Sequence, residues 1–151
     1  MSVGTAVSEA KARQLSRQMP DQQLVAWAVE LARGMQNLKN HSDVRSQISR
    51  AADGAAHSPS VDLFTAWIRY QYARDASRLW KTKTTLEGQS LDVAHALVNV
   101  VIERVKSHLK KVAQAEDGAD EMLVERATML AVARFLAFLR RAVIAEPQWR
   151  D

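Results

Sequence analysis

Apolar residues along this chain recur mostly at steps of three and four, which is the spacing of one face of an α-helix. Glycine and proline, at 5 and 3 residues, are few, and signals for hairpin turns are scarce. The chain therefore predicts an all-α protein, a compact bundle of about five to six helices. The clearest apolar stripes are Leu24, Trp27, Ala28, Leu31 and Met35 in a second helix, and Ala94, Leu97, Val98, Val101, Val105, Leu109 and Val112 in a fifth.

Capping and helix-breaking residues set the expected limits of the first three helices. The first covers about residues 8–19. Pro20 and Asp21 open the second, because proline has no amide to lose at that position and an acid complements the helix dipole. Ser42 caps a short third helix, which we expect to end at Gly54.

The remaining elements follow from the same signals. A fourth helix covers about residues 60–79, and the stretch KTKTTLEGQS at 81–90 is typical of a polar linker, with Ser90 as the cap of the fifth helix. The last helix covers about residues 120–145. The whole chain, 1–151, is predicted to form one all-helical domain with flexible ends at about 1–7 and 147–151.

Composition limits the expected location. The chain has no cysteine, which excludes disulfides and fits a reducing cytosol. Its longest apolar region, 128–138, is interrupted by Arg134 and is shorter than the roughly 18 to 20 residues of a bilayer span. The first residues also lack the pattern of a secretory signal. We expect a cytoplasmic protein with no membrane partner.

The motifs of common enzymes and cofactor proteins are missing from the sequence. His41, His57, His95 and His108 are scattered, and no HExxH or ExxH pair is present to bind a metal on a helix. The phosphate-binding patterns GxxxxGK[ST] and GxGxxG and the nucleophile pattern GxSxG are absent as well. We expect no metal, no cofactor and no catalytic activity.

Charge is distributed unevenly along the chain. The total of 21 Lys and Arg against 17 Asp and Glu gives a net charge of only +4. Residues 60–85 and 103–111 each carry +3, whereas residues 116–126 carry −4. This layout permits a polyanionic partner, and it could also serve the stacking of subunits.

The most unusual stretch is WIRYQYARDASRLWKTK at 67–83, where aromatic and basic residues alternate. On a continuous helix, its aromatic and basic side chains would share an arc of roughly 80 degrees at the margin of the core. Two interpretations stay open. The basic side chains lie along the rings and keep their charges in water, or they bind phosphates. The residues in question are Trp67, Tyr70, Arg74, Arg78 and Lys81, with Lys83 in the following loop.

Three pieces of the sequence together resemble the small subunit of type III-A CRISPR effector complexes. LKNHSDVRSQI at 38–48 matches that family's motif at Leu38, Ser42, Val44, Arg45 and Ile48, with Asp43 where Gln is usual. IRYQYAR at 68–74 matches at Ile68, Tyr70, Ala73 and Arg74, and RAVIA at 141–145 is similar to a third element. The three pieces have the same order as in the family, across roughly residues 20–145.

The resemblance implies a non-catalytic, all-helical subunit that self-associates in several copies. Such a subunit would steady the CRISPR RNA and the target RNA by backbone contacts, beside the backbone and large subunits of the complex. Arg45 and Arg74, at matched positions, would be its first phosphate contacts. The basic stretch adds Arg78, Lys81 and Lys83 to the candidate RNA-binding set.

Two other functions stay open. One is a helical adaptor or assembly protein that acts by protein–protein association, with its basic surfaces simply solvated. The other is an enzyme with an unfamiliar helical active site, which a pocket holding a strongly perturbed acid or base would support.

Overall fold

The computed structural model describes residues 8–35, 41–74, 78–115 and 120–149. Its helices are α1 (Glu9–Ser16), α2 (Asp21–Gly34), α3 (His41–His57), α4 (Val61–Arg74), α5 (Val93–His95), α6 (Glu103–Ala115) and α7 (Glu121–Ala145). A π-helical segment (Ala96–Ile102) joins α5 to α6 without a break, so these three form one long helix. Strands β1 (Lys83–Leu86) and β2 (Gln89–Asp92) lie between α4 and α5. The predicted all-α class and bundle of about five to six helices are confirmed.

Helix α7 is the centre of the bundle. It packs most extensively on α3 and α2, then on α1 and α6, and it also touches α4. Small side chains such as Ala127 and Ala131 are fully buried beside the large ring of Phe135, so neighbouring helices can approach closely. The buried Thr128 hydroxyl donates to the carbonyl oxygen of Val124 at 2.7 Å, which satisfies it inside the helix. Within the described ranges, no helix has both the length and the apolar character needed to cross a membrane.

Side-chain caps fix several helix starts. The Ser8 hydroxyl accepts from the amide of Lys11 at 3.2 Å, and the Asp120 carboxylate accepts from the amide of Met122 at 3.0 Å. The second helix begins at Asp21, as predicted. Gly54 does not end the third helix, which continues to His57, because Ala55 beyond it is fully buried. The predicted flexible end at 1–7 and the last two residues lie outside the described part of the chain.

Residues 81–90 form most of an antiparallel hairpin, so the prediction of a polar linker is wrong. Lys83 pairs with Asp92 and Leu86 pairs with Gln89 across the ladder. The turn residues Glu87 and Gly88 have φ values of 52° and 79°, the positive pair that a type I′ turn requires. Ser90 lies within β2 and caps nothing; the capping side chain of the next helix is Asp92.

The hairpin is fixed against α2. A Cβ atom on Gly34 would lie 2.1 Å from the Thr84 hydroxyl oxygen, so only glycine allows this close approach. The Thr84 hydroxyl donates to the carbonyl oxygen of Leu31 at 2.9 Å. Trp27 Nε1 donates to Glu87 at 3.1 Å, and the Glu87 amide donates to Glu30 at 3.0 Å. These bonds place β1, and therefore Lys83, relative to the bundle.

Candidate nucleic-acid interface

The end of α4 departs from the predicted continuous helix. The helix is described as far as Arg74, and Arg78, the next described residue, has a left-handed backbone with φ of 64°. Leu79 and Trp80, which follow, are 0% and 2% exposed. The left-handed residue changes the chain direction ahead of these two buried side chains. The arc predicted to carry Arg74, Arg78 and Lys81 on one helix face therefore does not exist.

The two rings at the start of the basic stretch have different surroundings. Trp67 is half-buried, stacks on Phe64 at 6.1 Å between ring centroids, and meets the edge of Trp80 at 6.4 Å. Tyr70, in contrast, is 58% exposed, and the guanidinium carbon of Arg74 lies 5.6 Å from its ring centroid. The predicted position at the margin of the core is confirmed for Trp67 and is wrong for Tyr70. The structure presents Tyr70 and Arg74 together to solvent.

A second ring links α4 to the hairpin. The Lys81 ammonium lies 5.1 Å from the Tyr72 ring centroid, and Tyr72 meets His95 edge-on at 5.5 Å. His95 Nδ1 lies 2.7 Å from a carboxylate oxygen of Asp92, which also caps the His95 amide at 2.8 Å. The backbone of Lys83 lies opposite that of Asp92 in the hairpin ladder. Lys81 therefore contacts one connected group of side chains, and Lys83 is placed next to that group by the hairpin.

We name the cations at the end of α4 and the entrance to the hairpin the basic corner; they are Arg69, Arg74, Arg78, Lys81 and Lys83. All five are exposed. Within the part of the chain that the structure describes, Arg69, Arg74, Arg78 and Lys83 form no ion pair with a carboxylate. Their charges are therefore available to an anion that approaches from solvent.

The basic corner has two flanks. Tyr70 and Tyr72 are two residues apart, so they point about 200 degrees apart around α4. Arg74 accompanies the first ring and Lys81 accompanies the second. The predicted residue Arg45 lies on α3, half-buried, and no hydrogen bond or ion pair of the described residues joins it to the corner.

A cavity of about 310 Å³ lies between α4 and the π-helical segment, beside the second flank. Sequence reasoning missed it because nothing in the 93–102 pattern distinguishes a π-helical segment from an ordinary helix. The one available signal was Asp92 three residues before His95, a spacing typical of a capping acid. The apolar part of the cavity is formed by Ile68, Ala94 and Val98, and its polar part is formed by Arg69, Tyr72, His95 and Asn99.

Other cations are neutralised by acids that are distant in sequence. Arg126 donates to Glu9 at 2.8 Å, and this hydrogen bond lowers the pKa of Glu9 below its ordinary value. Lys106 lies 2.8 Å from Glu125, whose hydrogen bond raises the pKa of Lys106 above its ordinary value. The positive charge of the segment 103–111 is thus partly neutralised by acids from other parts of the chain.

The described residues include no cluster of three or more His, Cys, Asp or Glu that could hold a metal ion. Comparison of the chain with protein-family models, with curated proteins and with solved structures finds no match.

Proposed function

We propose that this protein is a non-catalytic RNA-binding subunit that contacts the sugar–phosphate backbone through the basic corner. One observation carries the proposal. At the basic corner, the exposed Tyr70 accompanies Arg69, Arg74, Arg78 and Lys83, which form no ion pair among the described residues, and proteins that bind single-stranded nucleic acid combine such cations with aromatic rings. Phosphates are attracted to the cations, and the ring of Tyr70 offers a face on which a base can stack.

Contacts of this kind carry little sequence information. Arginine and lysine read the charge and position of phosphates and not the identity of bases. That suits a subunit of an RNA-guided complex, in which base pairing with the guide supplies specificity. The resemblance to the small subunit of type III-A CRISPR effectors supplies the proposed setting, which includes the guide and target RNA, the larger subunits and several copies of this chain. Arg45 enters the proposal through that resemblance alone.

A matched pair of four-site variants tests the proposal. The first replaces Arg74, Arg78, Lys81 and Lys83 with Gln; the control replaces Arg17, Lys110, Lys111 and Arg140, which are also exposed, with Gln. Both remove four positive charges. Fluorescence anisotropy with a labelled single-stranded RNA of about 30 nucleotides, at several salt concentrations, measures Kd for each.

The corner variant should weaken RNA binding about 100-fold at low salt, and the control should change it about threefold or less. The slope of log K against log salt should also fall by about three in the corner variant, because each lost phosphate contact removes about 0.7 for a single strand. Equal losses in the two variants would mean that only net charge matters, and the corner would be rejected as the site.

A second candidate is a helical adaptor, which a different observation favours. Leu63 and Tyr70 are 61% and 58% exposed and lie seven residues apart, on one face of α4. An apolar residue and a ring on one helix face suit a protein partner. Purification of the tagged protein from its host, with and without nuclease, separates the two functions. Protein partners that survive nuclease favour the adaptor, and partners lost with short RNAs of uniform length favour the RNA-guided complex.

A further inference from the structure

The cavity beside the basic corner is built by an unusual piece of backbone. In the π-helical segment Ala96–Ile102, backbone hydrogen bonds join residues five apart, so the turns are wider than those of an α-helix. Val98 and Asn99 of this segment face Ile68 and Tyr72 of α4 across the cavity. Segments of this kind inside helices occur frequently at functional sites. The cavity's volume of about 310 Å³ is at the lower end of the range for small-molecule sites.

The polar groups of the cavity are arranged for a ligand. The Asp92 carboxylate can only accept from His95 Nδ1–H, and in the neutral imidazole this tautomer leaves Nε2 as an acceptor. Asp92 is only 6% exposed and holds both the ring and the amide of His95, so the imidazole is fixed. Asn99 and Arg69 have no hydrogen-bond or ion-pair partner within the described part of the chain. Their amide and guanidinium groups are therefore available to a ligand.

We propose that this cavity binds one nucleotide unit, that is, one base with its phosphate. The apolar side chains of Ile68 and Val98 suit the face of a planar ring. The Asn99 amide and His95 Nε2 together offer donors and an acceptor to the polar edge of a base. Arg69 supplies the charged donors that a phosphate requires.

Two sources supply this chemistry. One is a free nucleoside monophosphate. The other is a single unstacked nucleotide of RNA held at the basic corner, since Lys81 lies against Tyr72 at the edge of the cavity. In the second case the inference rests on the proposed function.

Calorimetric titration of the full chain with each of the four nucleoside monophosphates, and with ribose 5-phosphate, tests the site itself. Binding of at least one nucleoside monophosphate, with ribose 5-phosphate at least tenfold weaker, is the expected result. Arg69→Gln should weaken the nucleotide about tenfold, and Arg140→Gln, an exposed control, should leave it unchanged. No binding to the wild type, or equal effects of these two variants, would overturn the inference.

Two variants change the cavity on different sides. Val98→Phe fills the apolar part, and Asn99→Ala removes the amide at an exposed position, where we expect little effect on folding. Each should lower nucleotide affinity at least fivefold, with thermal melts checking the fold. If Asn99→Ala and a folded Val98→Phe both keep the wild-type affinity, the nucleotide binds elsewhere and the site is rejected.

Short single-stranded RNA distinguishes the sources. If the site takes a nucleotide of bound RNA, Asn99→Ala weakens RNA as well as nucleoside monophosphate, and the monophosphate competes with RNA. If it takes a free nucleotide, RNA affinity stays unchanged in Asn99→Ala. Failure of the proposed function gives another result. The variant with four substitutions at the basic corner would then bind RNA like its control, and the nucleoside monophosphate would still bind the wild type.

Discussion

Two segments of the chain, 60–85 and 103–111, carry the same net charge of +3. They differ in how many of their cations form ion pairs in the folded protein. In the second, Arg104 pairs with Glu87 at 2.6 Å and Lys106 with Glu125 at 2.8 Å. In the first, four cations form no ion pair within the described ranges. Charge counted along a sequence therefore says little about a binding surface until the acids that fold back onto it are known.

Other paired cations join α7 to its neighbouring helices. Arg126 joins α7 to Glu9 of α1 and also donates to the carbonyl oxygen of Ser58 at 3.0 Å. Arg134 joins α7 to Asp21 at the start of α2. Exposed ion pairs stabilise a fold by roughly 0 to 1 kcal/mol each, so their main effect is to orient the helices. Within the described ranges, Arg69, Arg74, Arg78 and Lys83 of the basic corner join no helices through ion pairs.

The largest expected effect comes from removing the support of the basic corner. Gly34→Ala brings a Cβ atom 2.1 Å from the Thr84 hydroxyl oxygen and 3.0 Å from the Thr84 backbone, so the hairpin must move. We expect a loss of about 3 kcal/mol in the free energy of unfolding, measured by urea denaturation. RNA affinity should fall with it, because Lys83 moves with β1. An unchanged midpoint of denaturation would show that the hairpin is not held closely against α2.

Next in size is the loss of a paired cation. Arg126→Met removes the bonds to Glu9 and Ser58 from a side chain that is 13% exposed, and we expect the free energy of unfolding to drop by about 1.5 kcal/mol. Affinity for single-stranded RNA should stay within twofold of the wild type. A tenfold loss of RNA binding in a folded Arg126→Met protein would contradict the division between the two groups of cations.

The reverse change sharpens the same comparison. Arg74→Gln removes an exposed cation that contacts only the Tyr70 ring among the described residues, so stability should change by about 0.5 kcal/mol or less. RNA affinity should fall about fivefold at low salt, and the loss should shrink as salt rises. Anisotropy and urea denaturation on the same preparation measure both quantities. A stability loss as large as that of Arg126→Met would assign Arg74 to packing.

The sequence predicted what depends on local repetition and missed what depends on tertiary fit. Helices α2 and α7 could be predicted because their apolar residues repeat over several turns and begin at Asp21 and after Asp120. The hairpin was missed because Leu86 is the one large apolar residue of β1, and its burial depends on the surface of α2 beside Gly34.

The candidate site divides in the same way. Residues such as Arg74 could be named from the alternation of rings and cations. The left-handed backbone of Arg78 could not, because it follows from burying Leu79 and Trp80. His95 entered only as one of four scattered histidines, since its fixation by Asp92 needs the hairpin to end where it does.

Smaller effects come from pH. The pKa of Glu9 is lowered in the folded protein by Arg126, so its stabilising contribution is present above the ordinary carboxyl pKa and is lost as pH falls through the lowered value. The pKa of Lys106 is raised by Glu125, so its contribution is present below the ordinary lysine pKa and is lost as pH rises through the raised value. Glu9→Gln should therefore differ from the wild type in stability at pH 7 and converge with it in acid. Lys106→Met should reach the stability of the wild type only in strong alkali. Equal stability of Glu9→Gln and the wild type in alkali, or of Lys106→Met and the wild type in acid, would contradict the pairing.

The smallest expected effect is a gain. Gly54 lies within α3, and a Cβ atom there would meet only Phe64, at an ordinary contact distance of 3.8 Å. Gly54→Ala should raise the free energy of unfolding by up to about 1 kcal/mol through helix propensity. It is also the matched control for Gly34→Ala, and a loss of stability at both positions would remove the special role of Gly34.

The π-helical segment has a consequence for the phase of the helix that contains it. The buried residues of this long helix include Leu97, Val101, Val105 and Leu109, which are spaced by four. Four residues of an α-helix turn about 40 degrees beyond a full circle. Deleting one residue within 96–102 would rotate α6 by about 100 degrees relative to the hairpin. If α6 kept that rotation, Arg104 and Lys106 would turn away from Glu87 and Glu125, and Val105 and Leu109 would leave the core. The winding of residues 96–102 thus sets both the apolar packing and the ion pairs of α6.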